Sequence, residues 1–505
     1  MRAFIKRIDE KPLLRLPVLL LLSLLFMLAA SVYTTPLNHY YGFDSSVFMA
    51  FGKGIAHGLR PYLDLYDNKG PMIFYINALG WLMGGRNGVF VLQVLSMTGV
   101  FELIWRMARL YAGPAGALWS LLLFAVLYCG TVGEGNMTEE WSLLYALLPM
   151  WLGLRYMASD RPLAEHPLRY SGIYGLCLGI QLMFRVTNAA MNCGMLLAFA
   201  VLLCREKKYA ALLKNMLAVL FGAALIIVPL ALSFRGEAWD YFIYASLLHN
   251  FSYAAGGAAE KTAVDWLYWL ARVSMVPMSI AVLPSLAKKD RLPRGAALSA
   301  CCMGVIGALA ASLGYSYKHY FLLLAPVILA VFAMLWGALE GSEREKRQRR
   351  ALGAALLVFA AAPYIPQAAI HAGKSILFNG MHSLDPEAAS MAEINTYITD
   401  HRDSVLGYNT RCRVYLYLDV DPCFRHCMTQ EWMMRDSPFI AEEVDAFLRD
   451  TPPVWVVTTG SDEAEETLLT ERYGYEKVAV YLPFIIPSLT LQHIAYKVAP
   501  CNLSV

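Results

Sequence analysis

The strongest constraint on this chain is a series of long apolar runs separated by short basic clusters. A helix needs roughly 20 mostly apolar residues to cross a hydrocarbon core of about 30 Å. Runs of that kind fall at 13–34, 87–105, 114–132, 139–158, 170–186, 188–204, 211–233, 264–286, 295–314, 320–339 and 351–370. The connections after the second, fourth, sixth, eighth and tenth carry Arg106 and Arg109; Arg161 and Arg169; Arg205, Lys207 and Lys208; Lys288, Lys289, Arg291 and Arg294; and the segment EREKRQRR. The start of the chain, MRAFIKR, is basic too. Lys and Arg are retained on the cytoplasmic side of a membrane, so one topology satisfies every cluster. It has the N-terminus inside, eleven crossings and the remainder outside, in the plasma (inner) membrane. No small-x-small cleavage site follows the first run, which therefore reads as a retained helix and not as a signal peptide.

Charge divides the chain in the same place. The net charge of +3 is an average over two regions. Residues 371–505 hold 10 Lys and Arg against 19 Asp and Glu, net −9, which leaves net +12 on residues 1–370. With 58% hydrophobic and 16% charged residues, the chain is too apolar for a soluble enzyme or a disordered protein. Its basic residues sit in clusters between apolar runs, unlike the continuous basic face of a nucleic-acid binder. The expected fold class is thus a polytopic α-helical membrane protein of about eleven spans over residues 1–370. A small extracytoplasmic α/β domain over 371–505 is expected to follow.

Two loops on the expected outer side stand out. The first, 35–86, contains SSVFMAFGKGIAHG and GPMIFYINALGWLMGG, each too short or interrupted to span and suited to helices lying at the interface. The second, about 234–263, is rich in aromatics. In the tail, SVLGY, RVYLYL, PVWVVTTG and KVAVYL read as strands, and DPEAASMAEINTYITD and AEEVDAFLRD as helices. Four of the ten cysteines (Cys412, Cys423, Cys427 and Cys501) lie there, which allows three pairings or none.

Charged side chains near a membrane boundary are costly and call for partners. Asp44 follows the first run in YYGFDSSVF, and GLRPYLDLYDNKGPMIFY supplies Asp64, Asp67 and Lys69. This order resembles the membrane-embedded glycosyltransferases of the GT-C fold. Specifically, it is similar to the bacterial branch related to protein O-mannosyltransferases and the lipid A aminoarabinose transferase. Further segments agree in order: NMTEEWSLLYALLP, LGIQLMFRVTNAA, YSYKHYFLLLAPVILA and, in the tail, DSVLGYNTRCRVYLYLDVDPCFRHC.

The resemblance implies transfer of a sugar from a polyprenyl-phosphate donor to a lipid, glycan or protein acceptor on the outer face, with membrane lipids as the surroundings and no nucleic acid. It implies Asp44 as the base or acceptor-orienting carboxylate, and Lys69, Lys318, His319 and Tyr320 as contacts of the donor phosphate and lipid. Arg185, at the outer end of the fifth run, is expected to meet the same phosphate. Asp64 and Asp67 are expected to position Lys69 or bind the acceptor, and Glu139 and Glu140, at the start of the fourth run, to hold a shared cation or the acceptor. Asn68 departs from the aminoarabinose transferase, which has an acidic metal-binding residue there. That leaves a divalent metal open and no other cofactor implied. A transporter or flippase, or a polymerase or ligase of lipid-linked glycans, is the alternative. No inverted repeat is visible, and the charged loop comes first where polymerases and ligases carry it late.

Overall fold

The structure is a computed structural model that describes residues 9–159, 161–380, 386–459, 463–481 and 493–498. The basic segment 1–8 and Cys501 lie outside the described residues. The first half is formed by α1 (Pro12–Ala30), α2 (Asp44–Ala56), α3 (Met72–Leu82), α4 (Arg86–Ala108), α5 (Pro114–Thr131), α6 (Thr138–Met157), α7 (Leu168–Leu182), α8 (Ala190–Arg205) and α9 (Tyr209–Ser233). After them come α10 (Glu237–Ile243), α11 (His249–Ala259), α12 (Ala263–Arg272), α13 (Met275–Lys288), α14 (Arg294–Ser312), α15 (Ala325–Glu340), α16 (Lys346–Ala361) and α17 (Ile365–Gly380).

Helices occupy all eleven apolar runs, but fewer of them meet the length and composition needed to cross a membrane. Among the described residues eight do so, or nine if α16 and α17, bent by 70°, form one broken span. The other two are α6, which carries Glu139, Glu140 and Arg155, and α7, with only 15 residues. Charge shortens the apolar stretch of the first, and Pro167 and Arg185 bound the second.

Burial separates helices that look alike in sequence. In the most apolar stretch of α9 only 17% of residues are buried, against 72% for the span made of the 3-10 turn Lys318–Leu324 and α15. The latter is therefore the central element, and α9 lines the periphery with Leu213, Leu217, Leu220 and Phe221 exposed. Helix α9 reaches the bundle through glycines: a side chain at Gly175 would fall 2.0 Å from the Val219 carbonyl oxygen, and one at Gly222 would fall 2.2 Å from that of Gly172. Such close backbone approach is how apolar helices pack where no hydrophobic driving force separates lipid from protein. One group of charges inside the bundle is paired: Glu102 accepts from Arg15 at 2.6 and 2.7 Å and from Arg106 at 2.5 Å.

The tail comprises α18 (Pro386–Tyr397), β1 (Val405–Tyr408), α19 (Arg413–Tyr417), α20 (Glu431–Asp436), α21 (Pro438–Asp450), β2 (Trp455–Thr459), α22 (Glu463–Thr467), β3 (Tyr475–Tyr481) and β4 (His493–Val498). Its sheet has the order β1-β2-β4-β3, with β1 parallel to β2 and the other pairs antiparallel. RVYLYL, expected as a strand, is the short helix α19. Its Tyr415 hydroxyl accepts from Gly407 N at 2.8 Å and donates to Cys427 O at 2.7 Å, which holds the segment against β1 and not beside it.

The tail and the first loop share one hydrophobic cluster: Phe48, Phe51, Tyr62 and Phe74 pack in the same core as Tyr415, Trp455 and Ile494. Each such fully buried side chain is worth about 1.5–3 kcal/mol. Polar ties reinforce the contact, with Lys53 Nζ 2.6 Å from Asp419 Oδ1 and His57 Nδ1 2.7 Å from Asp421 Oδ2. The segment expected as an interfacial helix forms helix α2, and α3 together with the tail buries Ser45 to Gly54.

Candidate active site

A cavity of about 610 Å³ opens where α1 and α5 end and where α6 and the turn at Lys318 begin. The first loop contributes Asp44, Asp67, Asn68 and Lys69; the loop before α6 contributes Glu134; and the span before α15 contributes Lys318, His319 and Tyr320. The tail closes one side with Met428, Gln430, Met433 and Arg435.

Local sequence explains how these groups arrive. Asp44 is the first residue of α2, where its charge faces the positive end of the helix dipole. Gly70 lets the loop press against the end of α7: its N–H donates to Phe184 O at 3.0 Å, and a side chain there would fall 2.2 Å from Met183 O. This contact seats Lys69 beside Arg185. The Lys69 ammonium donates to Asn68 Oδ1 at 2.7 Å and lies 3.4 Å from Asp67 Oδ1. Burial pulls the pKa of Lys69 down, but the fields of Asp67 and Asp44 outweigh it, so the group is raised and firmly cationic.

Arg185 pairs with Glu139 at 3.2 Å and stacks its guanidinium 4.0 Å from the ring centre of Tyr320. His319 meets Tyr320 edge-on at 4.6 Å. The chain Glu139–Arg185–Tyr320 thus stands behind the cavity wall and orients Tyr320. It holds the Arg185 guanidinium against the ring of Tyr320, which lines the cavity.

Glu134 and Lys374 also line the cavity, though no sequence motif pointed to either. Glu134 sits in the turn VGEGN, where Gly135 and Asn136 have φ of 85° and 58°. A side chain at Gly135 would fall 1.9 Å from Ser31 Oγ, so glycine alone permits this turn. Glu134 Oε2 accepts from Ser45 N at 3.4 Å and crowds Gly42, where a Cβ would lie 2.6 Å away. Burial, then repulsion from Asp44, pushes the Glu134 carboxyl up to about 7. Two left-handed positions directly after an acidic residue were the available signal.

Two expected residues lie elsewhere. Asp64 accepts from Arg60 N at 2.7 Å and from Arg60 Nε at 3.2 Å, closing its own turn away from the cavity. Glu140 points into the bundle, where Gln93 Nε2 donates to it at 2.8 Å, while Glu139 pairs with Arg185. Adjacent residues on a helix point about 100° apart, and here the two carboxylates take separate partners. Asn68, at the position in question for a metal, spends its oxygen on Lys69. Among the described residues no group of three His, Cys, Asp or Glu side chains forms a metal-holding cluster.

Comparison with known proteins bears on the fold. Residues 68–234 match the family described as dolichyl-phosphate-mannose-protein mannosyltransferase. No curated protein matches the chain in sequence. Among solved structures, ArnT from Cupriavidus metallidurans bound to undecaprenyl phosphate aligns with a TM-score of 0.58 at 13% identity, over 95% of this chain and 97% of that one. The oligosaccharyltransferase AglB from Archaeoglobus fulgidus, in complex with an inhibitory peptide and a dolichol-phosphate, aligns with a TM-score of 0.52 at 12% identity, over 97% of this chain and 75% of that one. In its apo form the Archaeoglobus enzyme gives a TM-score of 0.56 at 10% identity. The chain therefore has the fold of the GT-C membrane glycosyltransferases.

Proposed function

We propose that this protein is an integral membrane glycosyltransferase that moves a hexosyl or pentosyl group from polyprenyl phosphate to an acceptor hydroxyl. The reading rests on one observation: a carboxylate pair, Asp44 and Glu134, faces the cations Lys69 and Lys318 within a single cavity. The fold and the family match over residues 68–234 support it.

In this reading Asp44 accepts the acceptor's proton as the oxygen attacks the anomeric carbon. The bond from that carbon to the phosphate oxygen breaks, the configuration inverts, and polyprenyl phosphate leaves. Glu134 lines the cavity with Asp44 and adds negative charge on the side where the acceptor's proton is received. Lys69 and Lys318, with Arg185 behind Tyr320, stabilise the charge that grows on the departing phosphate. Two carboxylates suit a divalent cation, but with no third ligand among the described residues no step is assigned to one. The bundle before residue 371 is the catalytic part in this reading, and the tail is an outward domain that walls the acceptor side, with the N-terminus in the cytoplasm.

The test supplies purified protein with radiolabelled polyprenyl-phosphate sugars and membrane extract. Transfer by the wild type and its loss in Asp44→Asn support the reading. Full transfer by that variant removes Asp44 from the chemistry. Movement of a lipid-linked glycan across proteoliposomes without any sugar transfer would establish a transporter in its place.

A further inference from the structure

Two cysteines of the tail, 15 positions apart, meet in its core and take no part in the cavity. Cys412 Sγ lies 3.4 Å from Cys427 Sγ, and both residues are buried. The remaining described cysteine of the tail turns away, its thiol 3.1 Å from the Val405 carbonyl oxygen. A metal is not the reason for the pair, since among the described residues no metal-holding group of His, Cys, Asp or Glu includes it.

The backbone around the two thiols is already stitched together. Tyr415 bridges Gly407 and Cys427. Thr410 N donates to Met428 O at 3.3 Å, and the Thr429 hydroxyl donates to Gly407 O at 3.1 Å. The residues that follow, Met428 and Gln430, form part of the cavity wall. The pair therefore sits at the joint between the end of β1 and the segment that faces the proposed acceptor.

We propose that Cys412 and Cys427 are a modification site, oxidised to a disulfide by exchange with an oxidising disulfide on the side of the membrane where the tail folds. One cysteine thiolate attacks the incoming disulfide, forming a mixed disulfide and expelling one thiol. The second cysteine then attacks the mixed disulfide, which makes the Cys412–Cys427 bond and expels the other thiol. Two electrons and two protons pass from the pair to the oxidant, which ends as two thiols. Burial pushes the Cys412 thiol far up, so exchange belongs to the stage before the core closes. Once the core has closed, the same burial keeps reductants out. The cross-link pins the cavity wall to the sheet and reduces the freedom of the unfolded tail.

The inference rests on the outward placement of the tail, because such bonds persist in oxidising compartments. Full-length protein in native membranes is denatured in an alkylating reagent without reductant, digested and analysed by mass spectrometry. The expected result is a peptide pair joined through Cys412 and Cys427, with Cys423 alkylated. Cys423→Ser keeps the link, and Cys427→Ser frees Cys412 for alkylation. Free thiols at both positions, or a link that includes Cys423, overturn the proposal. The exposed residue Glu393 separates the two ideas when Glu393→Cys is treated with an impermeant maleimide on intact cells. Labelling there with free thiols at Cys412 and Cys427 ends the disulfide alone. No labelling with free thiols ends the outward placement as well.

Discussion

Glu139 and Glu140 are neighbours in the chain and part company in the fold, whereas Asp44 and Glu134 are distant in the chain and meet at one cavity. The first pair is divided by helical geometry. Glu139 anchors Arg185 behind the cavity wall, and Glu140 receives Gln93 inside the bundle. The second pair is united by two backbone devices, a helix start at Asp44 and a left-handed turn after Glu134. Proximity in sequence is therefore a poor guide to shared chemistry when the residues lie on one helix. A turn that only glycine permits is a better one.

The comparison is broken most directly at Asp44. Asp44→Asn should lower the transfer rate about 10²–10⁴-fold, the range for removing a general base, while the protein still folds. A rate within about threefold of wild type would put Asp44 among the structural residues. Glu140→Ala should act in the opposite way. It leaves the Gln93 amide buried without this acceptor, at a cost of about 1–3 kcal/mol read as a lower melting temperature in detergent. Transfer per folded molecule should stay unchanged, and a selective loss of transfer would return Glu140 to the site.

Glu134 sharpens the contrast through pH. Its carboxyl, raised from 4.5 to about 7, binds more protons folded than unfolded in that interval, so folding stability should decline as pH rises from about 4.5 to about 7. In the proposed mechanism the charged form assists Asp44, so transfer should fall as pH drops below about 7 and level off at the rate of the protonated form. Glu134→Gln should flatten both limbs, and an unaltered profile would mean that Glu134 does not titrate in the working range. Asp64→Ala is the smallest effect. Its ion pair with the exposed Arg60 is a surface contact worth about 0–1 kcal/mol, so transfer and melting temperature should both hold.

Much of the site was legible because the motifs around Asp44, Lys69 and Lys318 are local. Each lies at the start of a helix or turn whose position the apolar pattern already marks. Glu134 was not legible in the same way: its neighbours in sequence are a short loop, and what raises its pKa is burial, then the charge of Asp44 from another element. Asp64 was misplaced because its partner, Arg60, is four residues away and satisfies it on the spot. In the tail, RVYLYL alternates like a strand, yet its tyrosine is drawn into hydrogen bonds with β1 and the segment turns into a helix.

By itself the sequence determined that this chain is a helical membrane protein with an acidic tail, because apolar length and charge placement act through solvent, which every residue meets independently. It also marked Lys69 and Lys318, two of the four described Lys and Arg side chains that line the cavity, and left Lys374 and Arg435 unmarked. Tertiary structure alone decided which helices stand at the centre. Equally apolar segments differ only in what packs against them, as α9 and α15 show. It also decided that Glu134 joins Asp44, that Glu140 does not join Glu139, and that Cys412 faces Cys427. Those outcomes depend on backbone direction and on contacts between elements remote in the chain, which hydropathy and spacing do not encode.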